Sequence, residues 1–299
     1  MSVAGATSAP QSDDAVASGP DVCIAEFTDP GCPWAWSAEP FRRRLQWLYD
    51  GRLDWSHRMV VLADDPQEYL DKGMTPAKMA ARAAQIAHDH GMPIDTSVRP
   101  RMHATAPACR AVVAARLHAP AAEVALLRAL RVRNFAGELL DEQQTLDGAA
   151  ADAGVDPGAL RSWMSDERVE AALDEDRAAA REPIPAARVL DEKLANWSGG
   201  RRYTCPSYEI VRRSDRVRIA VPGFQPFAAY DVVLANLVPG SERRDPPSSV
   251  TEVLEWAGEP LATREVAVVC DIPHHVAREQ LGRVASERHL GFDGLWSLA

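Results

Sequence analysis

A cysteine placed directly after a strand-like segment is the feature that most constrains the fold of this chain. Residues 22–27 form an apolar run interrupted by one acid, and Asp-Pro-Gly at 29–31 ends this predicted buried strand. Between 36 and 48, apolar residues recur every three to five positions, which predicts a helix. Cys32 is therefore expected at the N-terminus of a helix that lies between this strand and a second strand at 53–62.

The four residues that open this helix, Cys32-Pro33-Trp34-Ala35, carry the first candidate chemistry. The thiolate, not the thiol, is the nucleophile, and the free amides and positive dipole end of a helix N-terminus stabilise it. An enzyme with two active-site cysteines would hold its second thiol where this chain has Ala35. The alternative is that Cys32 is a small apolar residue that fills the end of the strand.

A single acid, Glu26, interrupts the first strand six residues before Cys32. If its side chain faces the core beneath the helix, burial raises its pKa, and such a group can exchange protons with a reacting thiol. The alternative is an outward-facing strand residue. The apolar pattern of the strand leaves both interpretations open.

The tripeptide Thr204-Cys205-Pro206 precedes a predicted hairpin formed by 207–211 and 216–221. Only a bond before proline adopts the cis form at low cost, so the bond between Cys205 and Pro206 is a candidate cis peptide. Its backbone would then be able to pair with an extended substrate beside the thiolate. A trans proline at a strand edge is the alternative.

With these features, the chain resembles the DsbA-like branch of the thioredoxin superfamily over about residues 21–238. That branch includes cytoplasmic FrnE-like dithiol oxidoreductases, 2-hydroxychromene-2-carboxylate isomerases and kappa-class glutathione transferases. The resemblance implies an α/β thioredoxin-like fold with a large all-α insertion at about 64–198. It also implies that Cys32 is the nucleophile and Glu26 its proton partner. The residues implied to bind the substrate are Pro33, Trp34, Trp36, Thr204 and Pro206.

Ala35 is where the chain departs from the dithiol members of this branch. Without a thiol at that position, another thiol must release a mixed disulfide formed at Cys32. One candidate is Cys205, because the residue before the cis-proline lies against the active-site cysteine in this fold. The other is a low-molecular-weight thiol from solvent, acting as a co-substrate; no further cofactor is expected.

The expected function is thiol–disulfide exchange with protein or small-molecule thiols and disulfides. Transferases and isomerases of this branch, which act on thiol conjugates, usually place serine at the first motif position, so Cys32 disfavours that function. A protein-binding adaptor or redox sensor, in which the fold binds a partner without turnover, is a further alternative.

The other cysteines and the histidines give no sign of a metal site. Cys23, Cys109 and Cys270 lie within apolar strand or helix patterns and are interpreted as structural. No cysteine–histidine pair has the spacing of zinc ligands, and the pairs at 88 and 90 and at 274 and 275 are expected on solvated faces. The five cysteines are predicted to be free thiols.

The net charge of the chain disfavours some classes of partner. The 299 residues carry a net charge of −10, which disfavours nucleic acid and anionic membrane surfaces as partners. No apolar run is long enough to span a bilayer. Residues 1–20 are predicted to form a flexible tail without the features of a secretory signal, so a reducing cytoplasm is the expected compartment.

The last fifty residues are predicted to form a separate small module. A linker rich in proline, serine and charge covers 239–248, and a capping-box pattern at 249–252 begins a helix. Two further helical patterns within 249–299 resemble a helix-turn-helix or winged helix. From Ser249 onwards the chain has eight acidic and four basic residues, so DNA binding is disfavoured. Packing on the first domain, or binding of a client protein as in adaptors of this branch, is favoured instead.

Overall fold

The computed structural model describes residues 20–240 and 243–298; the predicted N-terminal tail lies almost wholly outside them. The strands are β1 (Val22–Thr28), β2 (Leu53–Met59), β3 (Ala195–Trp197), β4 (Gly200–Arg202), β5 (Ser207–Arg212), β6 (Arg218–Val221), β7 (Leu261–Ala262), β8 (Ser286–Leu290) and β9 (Asp293–Ser297). The helices are α1 (Pro33–Leu48), α2 (Gln67–Asp71), α3 (Pro76–His90), α4 (Ala106–His118), α5 (Glu123–Phe135), α6 (Gln143–Asp152), α7 (Pro157–Met164), α8 (Glu167–Arg181), α9 (Pro185–Arg188), α10 (Phe227–Leu237), α11 (Val250–Ala257), α12 (Thr263–Cys270) and α13 (His274–Val284).

A four-stranded sheet organises the first part of the chain, in the order β2-β1-β5-β6. The central strand β1 runs parallel to β2, which follows it through α1, and antiparallel to β5, which forms a hairpin with β6. Helices α1 and α10 pack on the sheet through one apolar cluster that contains Ile24, Leu45 and Leu234. This is the strand–helix–strand and hairpin arrangement that the sequence predicts.

Between β2 and β5 the chain forms the predicted helical insertion. The hydroxyl of Thr75 accepts a hydrogen bond from the backbone amide of Lys78 at the start of α3, and Gly91 ends this helix with a φ of 79°. The carboxylate of Asp156 caps α7 in the same way. Helices α4 to α8 share their own apolar core, so the insertion is a packed layer and not an extended loop.

Two boundaries differ from the prediction. Strand β2 ends at Met59 and not at 62, because Val61 has a φ of 56°, a conformation that no regular strand adopts. The insertion is not entirely α-helical, because its last predicted residues form β3, which pairs antiparallel with β4.

The C-terminal module contains a sheet in addition to the predicted helices. Helices α11 to α13 are accompanied by a three-stranded sheet in the order β7-β9-β8, which gives a winged-helix-like arrangement. The module is also not separate from the first domain. Trp47 of α1 is 1% exposed and belongs to the apolar core of the module, and its indole N–H donates to the carbonyl of Asp245 over 2.9 Å.

No helix within 20–240 and 243–298 combines the length and the apolar character that crossing a bilayer requires.

Candidate active site around Cys32

Cys32 caps the N-terminus of α1, where the sequence places it. Its backbone is extended, with φ −83° and ψ 115°, and its carbonyl accepts the first helical hydrogen bond from the amide of Trp36 over 3.0 Å. Its own amide donates to the carbonyl of Asp29 over 3.1 Å, which closes the turn between β1 and α1. The residue is only 5% exposed.

The surroundings of Cys32 favour its ionised form. The side chain of Cys205 lowers the pKa of Cys32 by hydrogen bonding, and the backbone amides of Ala35 and Trp34 lower it further. Burial and the charge of Asp29 act in the opposite direction, and the net pKa lies below the ordinary value. In its protonated form, Cys32 instead donates to the carbonyl oxygen of Cys205 over 3.3 Å.

Cys205 lies against Cys32, and its pKa is shifted in the opposite direction. The peptide bond between Cys205 and Pro206 is cis, and the Cys205 side chain is 6% exposed. Burial raises the pKa of Cys205 well above its ordinary value, and its contact with Cys32 raises it further. Cys205 is therefore the weaker acid of the two neighbouring thiols.

Glu26 is buried, as predicted, but its partner is not Cys32. The Glu26 carboxylate accepts from the guanidinium of Arg131 over 3.2 Å, and Arg131 also donates to the hydroxyl of Thr28. Arg131 lies on α5, more than a hundred residues away in sequence, so no local pattern reveals this pairing. The predicted proton exchange between Glu26 and Cys32 has no supporting contact among the described residues.

The carboxylate that does influence Cys32 belongs to Asp29, which sequence reasoning treated only as a strand breaker. Asp29 is fully buried and accepts four hydrogen bonds. The donors are the Gly31 amide (2.7 Å), the Leu62 amide (2.9 Å), the Thr105 hydroxyl (2.7 Å) and the Cys109 thiol (3.4 Å). Asp29 thus ties the active-site turn to the insertion, and its charge opposes ionisation of Cys32.

The two tryptophans of the motif have different environments. Trp34 is 41% exposed, lines the cavity beside Cys32 and packs against His90 and Phe224. Trp36 is fully buried, donates its indole N–H to the carbonyl of Pro93 and stacks on Phe135. The prediction that Trp36 lines the substrate groove is therefore wrong, because helical geometry turns it towards the core.

A cavity of about 510 Å³ opens beside Cys32. Of the predicted site residues, the ones that line it are Cys32, Pro33, Trp34, Thr204 and Cys205. Glu26, Trp36 and Pro206 are not part of its lining. The hydroxyl of Thr204 donates to the carbonyl of Lys193, and its own carbonyl accepts from the hydroxyl of Ser207, so these polar groups are already engaged within the protein.

The wall of the cavity carries more cations than anions. Arg82, Arg99, Arg101 and Arg202 line it, together with one acid, Asp95. Arg101 pairs with Asp141 over 2.7 Å, whereas the other three make no ion pair with the described part of the chain. The protein as a whole has a net charge of −10, so these arginines form a locally positive region beside the Cys32 thiol.

Two further polar side chains of the lining are held uncharged. Burial raises the pKa of Tyr69 far above its ordinary value, and the negative charges of Asp29 and Cys32 add to this effect. Burial, followed by the charge of Arg99, lowers the pKa of His103 to about 4. Arg99, Arg101 and His103 alternate along a segment without regular structure. This spacing could have indicated a binding site, but no role was predicted for these residues from the sequence.

The other three cysteines do not form part of the reactive centre. Cys109 is fully buried, and burial together with Asp29 raises its pKa well above the ordinary value. Burial raises the pKa of Cys270 to about 11, and Cys23 accepts a hydrogen bond from Arg213 at the far end of β1. Across 20–240 and 243–298, no cluster of side chains has the composition of a metal site.

A cysteine at the N-terminus of the first helix, facing a Cys-Pro loop at the end of a four-stranded sheet, defines a protein of the thioredoxin-like class. The family model of the DSBA-like thioredoxin domain matches residues 23–183, which is more than half of the chain. The chain therefore belongs to the DSBA-like thioredoxin family, as the sequence motifs predict.

Individual relatives agree with this fold. The chain is 27% identical over 277 residues to the ClpXP adapter protein SpxH of Halalkalibacterium halodurans, covering 89% of this chain and 84% of the relative. Among solved structures, it is similar to a candidate protein disulfide isomerase from Nitrosomonas europaea (TM-score 0.53, 17% identity, 72% of this chain and 97% of the other). It is also similar to the cytosolic disulfide reductase DsbM from Pseudomonas aeruginosa (TM-score 0.51, 17% identity, 72% and 100%).

Proposed function

We propose that this protein is a monothiol member of its family, which exchanges disulfides through Cys32 with an external thiol. The observation that carries the proposal is the combination of a buried cysteine with a lowered pKa, an adjoining cavity and alanine at position 35. A low pKa supplies the thiolate, and the cavity holds the reaction partner beside it. Ala35 removes the second thiol that would complete the exchange within the motif.

The reaction consists of two balanced exchanges. The Cys32 thiolate attacks one sulfur of a disulfide RSSR. A bond forms between that sulfur and Cys32, the original S–S bond breaks, and the other half leaves as the thiolate RS⁻. A second thiolate, R′S⁻, then attacks the R sulfur, releases RSSR′ and regenerates the Cys32 thiolate. Electrons move only between thiols and disulfides, so no cofactor beyond the external thiol takes part.

An external thiol fits the second step better than Cys205 does. The attacking species is a thiolate, and the raised pKa of Cys205 keeps it almost entirely protonated near neutral pH. We assign Cys205 the role of hydrogen-bond donor to the Cys32 thiolate. A reducing compartment, as expected for a cytoplasmic protein, would supply the external thiol.

The cationic wall of the cavity suggests the charge of that thiol. Arg82 and Arg202 point to a ligand that carries carboxylates or similar anionic groups next to its sulfur. Arg99 adds positive charge, but its terminal nitrogens already donate to Asn134 and Glu138. His103 is neutral near pH 7 because its pKa is about 4, so it neither adds to nor opposes this charge.

A non-catalytic adaptor is the second candidate function. It is suggested by the match to SpxH, which covers 89% of this chain and therefore extends well past the domain matched at 23–183. The lowered pKa of Cys32 gives exchange the preference, because a surface used only for binding does not need a stabilised thiolate.

The experiment is incubation of the protein with oxidised glutathione, an anionic disulfide, and with cystamine, a cationic one, followed by intact-mass analysis. We expect one adduct at Cys32, formed faster from oxidised glutathione, and released by added free thiol. The Cys32→Ser variant should take up no adduct at this site. The Cys205→Ser variant should still form the adduct and still release it.

Two results would overturn the proposal. One is the absence of any Cys32 adduct in the wild-type protein. The other is a Cys32→Ser variant that keeps full cellular function, which would favour the adaptor. Adducts that release without added thiol, and only when Cys205 is present, would instead make Cys205 the resolving residue.

A further inference from the structure

One wall of the cavity is a short segment that follows α3. Residues 91–95 leave the helix at Gly91, and the last two of them, Ile94 and Asp95, line the cavity. On the inner side of the segment, the indole N–H of Trp36 donates a hydrogen bond of 2.9 Å to the carbonyl of Pro93. The amide of Asp95 donates to the carbonyl of Phe135 over 2.7 Å.

The C-terminal module holds the same segment from outside. Gly291 lies at the turn between β8 and β9 with a φ of 58°. A Cβ atom at Gly291 would overlap the carbonyl oxygen of Ile94 and lie 2.6 Å from its carbonyl carbon. The wing turn and the cavity wall are thus in backbone-to-backbone contact, which glycine alone permits without displacement.

Side chains of the module add to this contact. Leu290 and Leu295, on either side of the turn, belong to the same buried apolar cluster as Trp36 and Ile94. Farther along, the side chain of Arg264 from α12 lies over Gly91, where a Cβ would be 3.3 Å from its Cδ. The module therefore covers the segment at both of its ends.

We propose that the winged-helix-like module is a structural part of the Cys32 site, and that Gly291 is a positioning residue that sets the wall at 91–95. The inference builds on the proposed function, because it concerns how the reaction partner is held. The turn of the wing is occupied by this contact within the chain, which agrees with the acidic charge of the module in disfavouring DNA as its ligand.

We expect the module to affect the binding of the reaction partner and not the reactivity of Cys32. Among the described residues, Cys32 is held by the turn at Asp29 and by Cys205, and neither contact involves the module. A side chain at 291 would push the backbone of Ile94 away and change the shape of the cavity. The pKa of Cys32 would stay as it is, because none of the groups that set it would move.

The test compares Gly291→Ala with a matched control, Gly258→Ala. Both glycines lie in the module and have similar φ angles, 58° and 64°, so alanine brings similar backbone strain. A Cβ at Gly258 meets nothing within 4 Å, whereas a Cβ at Gly291 meets Ile94. Only the Gly291 variant should therefore alter the site.

The readout is the rate of adduct formation at Cys32 as a function of the concentration of oxidised glutathione. We expect Gly291→Ala to raise the half-saturating concentration by about tenfold, since a displacement of about 1 Å at a binding wall can cost that much or more. Alkylation of Cys32 by iodoacetamide, and its pH dependence, should not change. Gly258→Ala should match the wild type in both assays.

Hydrogen exchange gives a second readout that does not depend on the reaction. Amides of 91–95, including that of Asp95, should exchange faster in Gly291→Ala than in Gly258→Ala. If Gly291→Ala does not fold, Leu290→Ala is used with the same two assays. A folded variant with unchanged half-saturation and unchanged exchange at 91–95 would overturn the proposal. A wild-type protein that forms no adduct would contradict the proposed function, while the exchange comparison still decides the structural claim.

Discussion

At the scale of single residues, two neighbours act on Cys32 with opposite signs. The side chain of Cys205 lowers the pKa of Cys32 more than any other group, and the charge of Asp29 raises it. Neither residue was given this role by the sequence, where Cys205 was a candidate resolving thiol and Asp29 a strand breaker. Their opposite effects provide a paired test.

Replacing Cys205 by alanine removes the hydrogen-bond donor and leaves burial to dominate. The pKa of Cys32 should therefore rise, and its alkylation near pH 7 should slow by about tenfold for each unit of the rise. The measurement is the alkylation rate at the Cys32 peptide across a pH series. Cys205→Ser keeps a donor of similar size, so its profile should lie close to that of the wild type; equal profiles for the alanine and wild-type proteins would refute the assigned role.

Replacing Asp29 by asparagine should have the opposite effect on Cys32. Loss of the negative charge lowers the pKa of Cys32 further, since the charge of Asp29 opposes its ionisation. Stability should fall by about 1–3 kcal/mol, because an amide cannot accept all four hydrogen bonds that the carboxylate accepts. The same pH series and urea unfolding test both parts, and an increase in the pKa of Cys32 would contradict this account.

At the scale of elements, a buried network of ions joins β1 and α1 to α5 and to the C-terminal module. Glu39 of α1 pairs with Arg42 and with Arg131, and Glu265 of α12 pairs with Arg128 over 2.7 Å. Four acids balance four arginines in this network. Its members are Glu26, Glu39, Glu259, Glu265, Arg42, Arg43, Arg128 and Arg131.

Removing one charge from this network should be costly. Glu39→Gln leaves buried arginines without a counter-charge, and we expect a loss of about 3–5 kcal/mol in the free energy of unfolding. The control is Glu279→Gln, which breaks an exposed pair with Arg283 and should cost no more than about 0.5 kcal/mol. Urea denaturation measures both, and a Glu39 variant as stable as the control would show that the network does not hold these elements together.

The same network predicts sensitivity to acid. Burial opposes ionisation of Glu39, but the charges of Arg42, Arg131 and Arg128 outweigh it and hold the pKa of Glu39 far below its usual range. Since the folded pKa is below the unfolded one, this stabilisation is complete above about pH 4.3, the unfolded value, and declines as the pH falls below it. Unfolding measured from pH 7 to pH 3 should show the decline in the wild type and a weaker one in Glu39→Gln.

The elements themselves were largely predictable, whereas their contacts were not. Periodicity and caps located β1, α1, α3 and α12, because these signals lie within a few residues of each other. The partner of Glu26 and the burial of Trp36 depend on α5 and on 91–95, which approach only in the folded chain. The structure brings Cys32 and the Cys-Pro loop together, as the sequence predicts, and pairs Glu26 with Arg131. The roles of Cys32 as nucleophile and Glu26 as its proton partner stay predictions.

At the scale of the whole molecule, two parts of the chain line one cavity and a third packs behind its wall. The sheet unit supplies Cys32 and Cys205, the insertion supplies Tyr69 and three arginines, and β4 supplies Arg202. The C-terminal module supports the wall at 91–95 through Gly291. A charge of −10 over the chain leaves the cationic cavity as a distinct feature, which favours an anionic reaction partner.

The most direct test of the central claim is the pH dependence of Cys32 alkylation in the wild-type protein, followed by mass spectrometry at the Cys32 peptide. If the fold stabilises the thiolate, the midpoint of the profile lies below about 8.5, the ordinary value for cysteine. A midpoint at or above that value would contradict the account, because Cys32 would then have no more thiolate near neutral pH than an ordinary cysteine.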